Sequence, residues 1–302
     1  MVQSILEPAS GARLISTFQV AKLIDDWQAA FGIDISSELQ NIEEISLYRC
    51  GATHLDFFTP FSASGSGHLY QSLQKFDWYY MQEKWEFREA IKDLKGSKKI
   101  LEVGSGSGFF LERARRELRG ATIKGIELDE VTCSQAVQKN LPVELSNLHE
   151  IAARAETFDA ICSFQVLEHV SEPLAFLQTM VKVLSRGGRL ILCVPNKESF
   201  LRHQYNLLDL PPHHMTRWNA FTFKYLERIF PLKVVRINFE PLARYHIAGY
   251  VSAYAQYWRR RLPALQHLLL EPRLQKISNF LERTGFYRLL RGQSLYVSFR
   301  KL

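Results

Sequence analysis

The sequence predicts an α/β fold built on a doubly wound, Rossmann-like seven-stranded sheet, and three observations predict it. Ile100, Leu101 and Val103 form a short apolar run that passes straight into Gly104, Gly106 and Gly108, the pattern of a buried strand ending in a turn that needs glycine. A second apolar run, Thr122 to Glu127, ends in an acid about 20 residues later, the offset of a second parallel strand. Ala160 to Phe164 and Leu190 to Val194 then alternate with stretches of helical spacing, as strands joined by crossover helices do.

Ahead of the sheet, residues 1–95 read as a helical and loop-like N-terminal extension or cap. Gln19 to Phe31 has amphipathic periodicity, Phe61 to Gly67 is a loop of small residues, and Tyr70 to Leu94 reads as one helix or two. Trp78, Tyr79, Tyr80, Trp85 and Phe87 cluster in that last segment, where they either pack a cap helix on the sheet edge or cover a ligand. Leu47 to Phe58 is expected as a small hairpin or extended arm. Cys50 and His54 supply at most two of the ligands a structural zinc site needs, so no zinc is expected there.

Residues 96–302 form the sheet domain. Ile100–Val103, Thr122–Glu127, Val143–Leu145, Ala160–Phe164 and Leu190–Val194 are its parallel strands, and Val234–Phe239 and Ser294–Arg300 close it. Between the closing strands lies a helical insert at about 245–290, far longer than a hairpin requires. It holds Tyr250, Tyr254, Tyr257 and Trp258 beside Arg259, Arg260 and Arg261, and suits a lid, a dimer surface, a peripheral membrane contact or a solvated helical excursion.

Whole-chain properties agree. With 302 residues and 46% apolar content, the chain can bury one large α/β core with appended elements. Cys50, Cys133, Cys162 and Cys193 are scattered without pairing distances, which suits a reducing compartment and a cytoplasmic location. No run of 18 apolar residues and no charged-then-apolar leader appears, so neither membrane spanning nor export is expected. A formal net charge of +7 is too mild to predict specific nucleic-acid binding.

The glycine motif differs from the dinucleotide pattern in having strictly alternating glycines and an acid, Glu102, two residues before the first. That acid repels a pyrophosphate and attracts a cation. Four landmarks follow in order: Glu102 with Gly104, Gly106 and Gly108; Glu127 closing the second strand; Val166-Leu167-Glu168-His169-Val170 after the fourth; and Leu184-Ser185-Arg186-Gly187-Gly188-Arg189 before the fifth. On these residues, the stretch from about Ile100 to Asn196 resembles the core of the class I S-adenosylmethionine-dependent methyltransferases. The V-L-E-H-V variant is similar to the subgroup that includes the ubiquinone-biosynthesis O-methyltransferases and many small-molecule and sugar methyltransferases.

The resemblance implies S-adenosyl-L-methionine as cofactor. It places the methionine part on Glu102, Gly104, Ser105, Gly106 and Gly108, and the ribose on Glu127 with Leu128 beside it. Asn147 would face the adenine, although the acid many relatives carry there is missing, and Phe164 and Gln165 would border the site from the fourth strand. Some relatives bind a divalent metal through E-x-x-E-H. Here Gln165 replaces the first carboxylate, which weakens a hard-cation site, so no metal is expected.

Methyl transfer to a hydroxyl needs in-line alignment and removal of a proton. The segment Asn206 to Trp218 contains Pro211-Pro212-His213-His214 and follows the fifth strand, which makes His214, then His213, the candidate base, with His169 as a competitor. The expected activity is O-methylation of a small molecule, a sugar or a glycan-lipid intermediate. N-methylation of a small amine, or a non-catalytic cofactor-binding member of the fold, are the alternatives.

Overall fold

The computed structural model describes residues 2–79, 81–264 and 269–302. Tyr80 of the aromatic cluster and residues 265–268 of the insert lie outside them.

The N-terminal region is a sheet with a helix on it. Strands β1 (Val2–Gln3), β2 (Gly11–Gln19), β3 (Glu44–Cys50) and β4 (Asp56–Thr59) pair antiparallel in that order. Helix α1 (Val20–Phe31) buries Val20, Leu23 and Trp27 and stops at Gly32, whose φ of 66° only glycine adopts without strain. Helix α1 matches the amphipathic stretch predicted at Gln19 to Phe31, whereas strands β1 and β2 correct the expectation that residues 1–95 are only helical and loop-like outside the predicted hairpin. Almost every side chain of β2 is exposed or half-buried, so no alternation marked it as a strand; pairing with β3, some 30 residues on, makes it one. Glu44–Cys50 and Asp56–Thr59 do form a hairpin, in the region where a hairpin or arm is predicted. The segment Tyr70 to Leu94 resolves into two helices, α2 (Gly67–Leu73) and α3 (Trp85–Leu94).

The second sheet contains β5 (Lys99–Val103), β6 (Thr122–Glu127), β7 (Val143–Leu145), β8 (Phe158–Phe164) and β9 (Leu184–Pro195). After the short β10 (Thr216–Arg217), it is closed by β11 (Leu232–Pro241) and β12 (Arg291–Lys301). The order is β11-β12-β9-β8-β5-β6-β7, with β12 antiparallel to both of its neighbours and the other pairings parallel. The predicted seven strands are all present. Strand order reverses beside β5, which puts the glycine turn at the topological switch point where ligands bind in such sheets.

Alternation along the strands divides the core into two faces. Leu101, Ile161, Leu190 and Leu192 pack with α6 (Leu148–Ala153), α7 (Pro173–Val183) and α8 (Ala220–Ile229). Ile100, Ala160, Cys162 and Ile191 pack with α3, α4 (Phe109–Glu117) and α5 (Glu130–Gln138). Both faces are covered, and so Leu190–Val194 of β9 read as an unbroken apolar run. Helix α3, assigned by sequence to the N-terminal extension, belongs to this core through Phe87, Ala90, Ile91 and Leu94. The insert consists of α9 (Ile247–Arg261) and α10 (Glu271–Thr284).

One connection ties the two sheets together. Strand β10 pairs antiparallel with β4, and Leu210 and Met215, which flank the histidine pair, are buried in the N-terminal core with Trp27 and Leu47.

Candidate active site

A cavity of about 1210 Å³ runs from the glycine turn to the histidine loop. At one end, Gly104, Gly106 and Gly108 have φ of 74°, 51° and 80°, a path closed to ordinary side chains. A Cβ at Gly104 would also stand 2.5 Å from Cγ2 of Val166. Glu127 holds the turn open. Its Oε2 accepts the Gly106 N–H at 2.7 Å, and its Oε1 accepts from Leu128 N at 2.8 Å and Asp129 N at 3.0 Å.

Glu102 lies beneath, 2% exposed, and its Oε2 has no hydrogen-bond partner among the described residues. Burial, and then the negative charge of Glu127, push its carboxyl well above the usual carboxylate range.

The other sequence-predicted residues divide. Leu128 is 75% exposed on the cavity wall beside Glu127. Gln165 borders the cavity in a left-handed conformation, φ 55°, and donates to Glu86 Oε1 at 3.4 Å. Phe164 lines the wall with its ring 4.8 Å from that of Phe110. Ser105 turns under the loop instead, its backbone N–H donating to Ile126 O at 3.1 Å. Asn147 caps its own helix: its Oδ1 accepts from Glu150 N at 2.9 Å and its Nδ2 donates to Glu150 Oε1 at 2.9 Å, a capping box at the start of α6. Asn147 also lines the cavity, and its amide keeps a second N–H and a second lone pair beyond those the cap uses. Of the aromatic cluster, Trp78 and Trp85 line the cavity, Tyr79 reaches the histidines, and Phe87 packs in the sheet core.

At the far end His169, His213 and His214 come together, with ring centroids 4.4 to 4.9 Å apart. The loop carrying the pair is stitched to the fourth-strand loop by backbone bonds, since the Glu168 carbonyl accepts from Met215 N at 2.8 Å and Thr216 N at 3.0 Å. Each histidine has a different set of partners. His213 Nδ1 donates to Leu208 O at 2.7 Å and its Nε2 accepts from the Tyr79 hydroxyl at 3.0 Å, so both ring nitrogens are engaged. His169 Nδ1 donates to His213 O at 2.5 Å, with the Tyr70 hydroxyl 3.2 Å away.

His214 Nδ1 faces Asp209 Oδ1 at 3.3 Å, and Arg217 Nε grips Asp209 Oδ2 at 3.0 Å. An acceptor-only carboxylate fixes the proton on Nδ1 and leaves Nε2 of His214 with its lone pair.

Burial keeps all three imidazoles neutral. It lowers His169 to about 4, and it holds His213 and His214 well below the usual histidine range, with the neighbouring rings adding to the effect. Glu168, 1% exposed, has neither carboxylate oxygen hydrogen-bonded among the described residues, its Oε1 standing 4.0 Å from Nε2 of His169, and burial raises it to about 8. It is a neutral acid at pH 7.

The family described as "Methyltransferase domain" matches residues 70–291, most of the chain. The chain belongs to that family. Its curated relatives include the mitochondrial ubiquinone biosynthesis O-methyltransferase of Homo sapiens, 37% identical over 33% of this chain and 29% of that protein. The ubiquinone biosynthesis O-methyltransferase of Psychrobacter cryohalolentis is 33% identical over 33% of this chain and 42% of its own length. The chain thus spans less than half the length of these relatives. A SAM dependent methyltransferase from Archaeoglobus fulgidus, 18% identical, superposes with a TM-score of 0.52 over 77% of this chain and 100% of its own, which shows the shared fold.

Groups at the glycine turn fit S-adenosylmethionine, the cofactor that the sequence resemblance implies. Glu102 offers an unpaired buried carboxyl beneath the glycine turn, Glu127 has acceptor capacity left at the strand end, and Leu128 presents an apolar surface beside it.

Around the histidines stand Tyr79 of the predicted aromatic cluster and three groups that the sequence did not mark as candidates. Asp209, Arg217, Tyr70 and Tyr79 all contact the histidines or their partners. Asp209 lies five positions before His214 across two prolines, a spacing with no helical or strand period to mark it. No helix among the described residues is long and apolar enough to cross a membrane.

Proposed function

We propose that this enzyme methylates a hydroxyl oxygen of a small molecule, a sugar or a glycan-lipid intermediate, with His214 as general base. The observation that carries the reading is the Asp209 to His214 contact inside the cavity that also holds the glycine turn. When bound, S-adenosylmethionine supplies an electrophilic methyl group. Asp209 orients the imidazole and stabilises it once protonated, and the Arg217 charge opposes the rise that burial imposes on the Asp209 carboxyl. His214 Nε2 takes the acceptor's proton.

Glu168, protonated at neutral pH, donates a hydrogen bond to a second oxygen of the acceptor and so sets its orientation. His213 and Tyr79 brace the loop, and His169 ties it to the fourth strand. With both nitrogens of His213 engaged, the cluster is one donor short of a three-histidine metal site, and we propose metal-independent catalysis. The residues before α3 act as a cap whose β4 anchors the catalytic loop. The free, buried cysteines suit a cytoplasmic protein.

One observation favours a second reading, N-methylation of an amine: the acids Glu86 and Glu240 also line the cavity and would attract a cation. The experiment is a mass-resolved methylation assay of purified protein with S-adenosylmethionine against matched panels of hydroxylated sugars, phenols and amines. Products from the hydroxyl panel that vanish in His214→Ala support the first reading. Products from amines alone, or none despite cofactor binding, overturn it.

A further inference from the structure

We propose that the insert between β11 and β12 docks the enzyme on an anionic bilayer surface. The charge distribution is the first argument. Residues 242–291 carry nine basic and two acidic side chains, while the other 252 residues carry 29 of each. The whole net charge of +7 therefore sits in one sixth of the chain. A basic patch confined to one element is the electrostatic footprint of an anionic surface.

The second argument is what stands between those charges. Tyr245, Trp258, Leu262, Leu270, Ile277, Phe280, Phe286 and Leu289 are between 43% and 81% exposed, and all fall in the same segment. On α10 the arrangement is ordered. Arg273, Lys276, Ile277, Phe280, Arg283 and Thr284 share a sector of about 120° at 100° per residue. Leu274 and Ser278 point the other way and are buried, and both acids of the segment, Glu271 and Glu282, lie outside the sector. Phe286 continues the surface, its ring 6.0 Å from that of Phe280.

Cations flanking exposed aromatic and aliphatic tips match a helix lying in the headgroup plane, with the apolar tips below the phosphates. Nucleic acid would satisfy the charges and leave Ile277, Phe280 and Leu289 in water.

The insert also reaches the active site. Tyr245 and His246, just ahead of α9, line the catalytic cavity, and Tyr250 packs on Phe200 next to Leu201 of its rim. Docking brings the cavity mouth to the bilayer. An acceptor carried on a lipid then follows, a step that rests on the hydroxyl reading above, whereas docking does not.

The test is co-sedimentation of the full chain with phosphatidylcholine vesicles and with vesicles containing about one-third phosphatidylglycerol, in low and high salt. Binding to the anionic vesicles alone, weakened by salt, is expected. Lys276→Glu with Arg283→Glu should lower partitioning by about tenfold or more. Phe280→Ser with Leu289→Ser should also release the protein, and both variants should keep the thermal shift produced by S-adenosylhomocysteine. Absence of anionic-vesicle binding by the folded protein overturns the proposal. So does equal binding by both variants, or retention of duplex DNA without vesicles.

Discussion

Asp209 and His214 lie on either side of Pro211 and Pro212, and the carboxylate of the first stands 3.3 Å from Nδ1 of the second. The pair sits at the opposite end of one cavity from Glu127, so the roles proposed for the two ends are separable by mutation.

His214→Ala is expected to lower kcat by about 10²- to 10⁴-fold, the range of a lost general base, and to leave the Kd for S-adenosylhomocysteine unchanged. Asp209→Asn should give a smaller loss of kcat in the same assay. Calorimetry with initial-rate kinetics separates the two quantities, and equal loss of both in His214→Ala would contradict the assigned role.

Glu127→Ala removes three hydrogen bonds to backbone N–H groups as well as the ribose partner. Bonds to a charged group contribute about 1.5–3 kcal/mol each, so cofactor affinity should fall by at least tenfold. Calorimetric titration measures it, and wild-type affinity in this variant would remove Glu127 from the site.

Stability should pass through a maximum on the acid side of neutrality. His169 titrates at about 4 in the folded protein against an ordinary 6.5, so its contribution is full above pH 6.5 and is lost as pH falls towards 4. Glu168 behaves in the opposite sense. Its carboxyl is raised from 4.5 to about 8, so its contribution is full below pH 4.5 and is lost as pH rises through 8. Glu168→Gln should flatten the alkaline arm, stabilising the protein at pH 9 by up to about 5 kcal/mol, read from urea melts at several pH values. A variant that melts in parallel with wild type across that range would show that Glu168 titrates normally.

Arg236 couples the sheet edge to α3. Its Nη1 contacts Glu89 at 2.5 Å and its Nη2 contacts Asp93 at 2.9 Å, and the hydroxyl of Tyr296 donates to Asp93 at 2.7 Å. Arg236→Met leaves two acids facing each other in a half-buried setting and should cost about 2 kcal/mol in denaturant unfolding. A change below about 0.5 kcal/mol would mark the network as a surface ion pair of little weight.

The sheet domain was legible because each signal in it is local. Gly104 to Gly108 demand positive φ within a few residues, and Leu190 to Val194 are apolar because both faces of their strand are covered. The N-terminal sheet was not, because β2 exposes most of its side chains and exists by pairing with a distant strand. The site divides in the same way. Glu127 announces itself at a strand end, and the histidine pair stands beside prolines. Asp209 becomes a partner only through the fold of the loop, and Tyr70 reaches His169 across 99 positions. Asn147 stands at the expected place on the cavity wall, and the cap its side chain makes at the start of α6 was not read from the sequence.

The pairing of β4 with β10 brings Asp56 against Arg217 and Phe57 against Thr216, residues roughly 160 positions apart, whereas the parallel strands of the cofactor sheet meet partners within about 60. Closing the longer loop carries the larger entropic cost and contributes contacts only when both ends are in place. During synthesis the glycine turn and its acid are complete once β9 has emerged, while the histidines wait for a strand made at the beginning of the chain to be joined by one made two thirds of the way along. The turn proposed to hold the methyl donor thus rests on shorter loop closures than the loop proposed to use it.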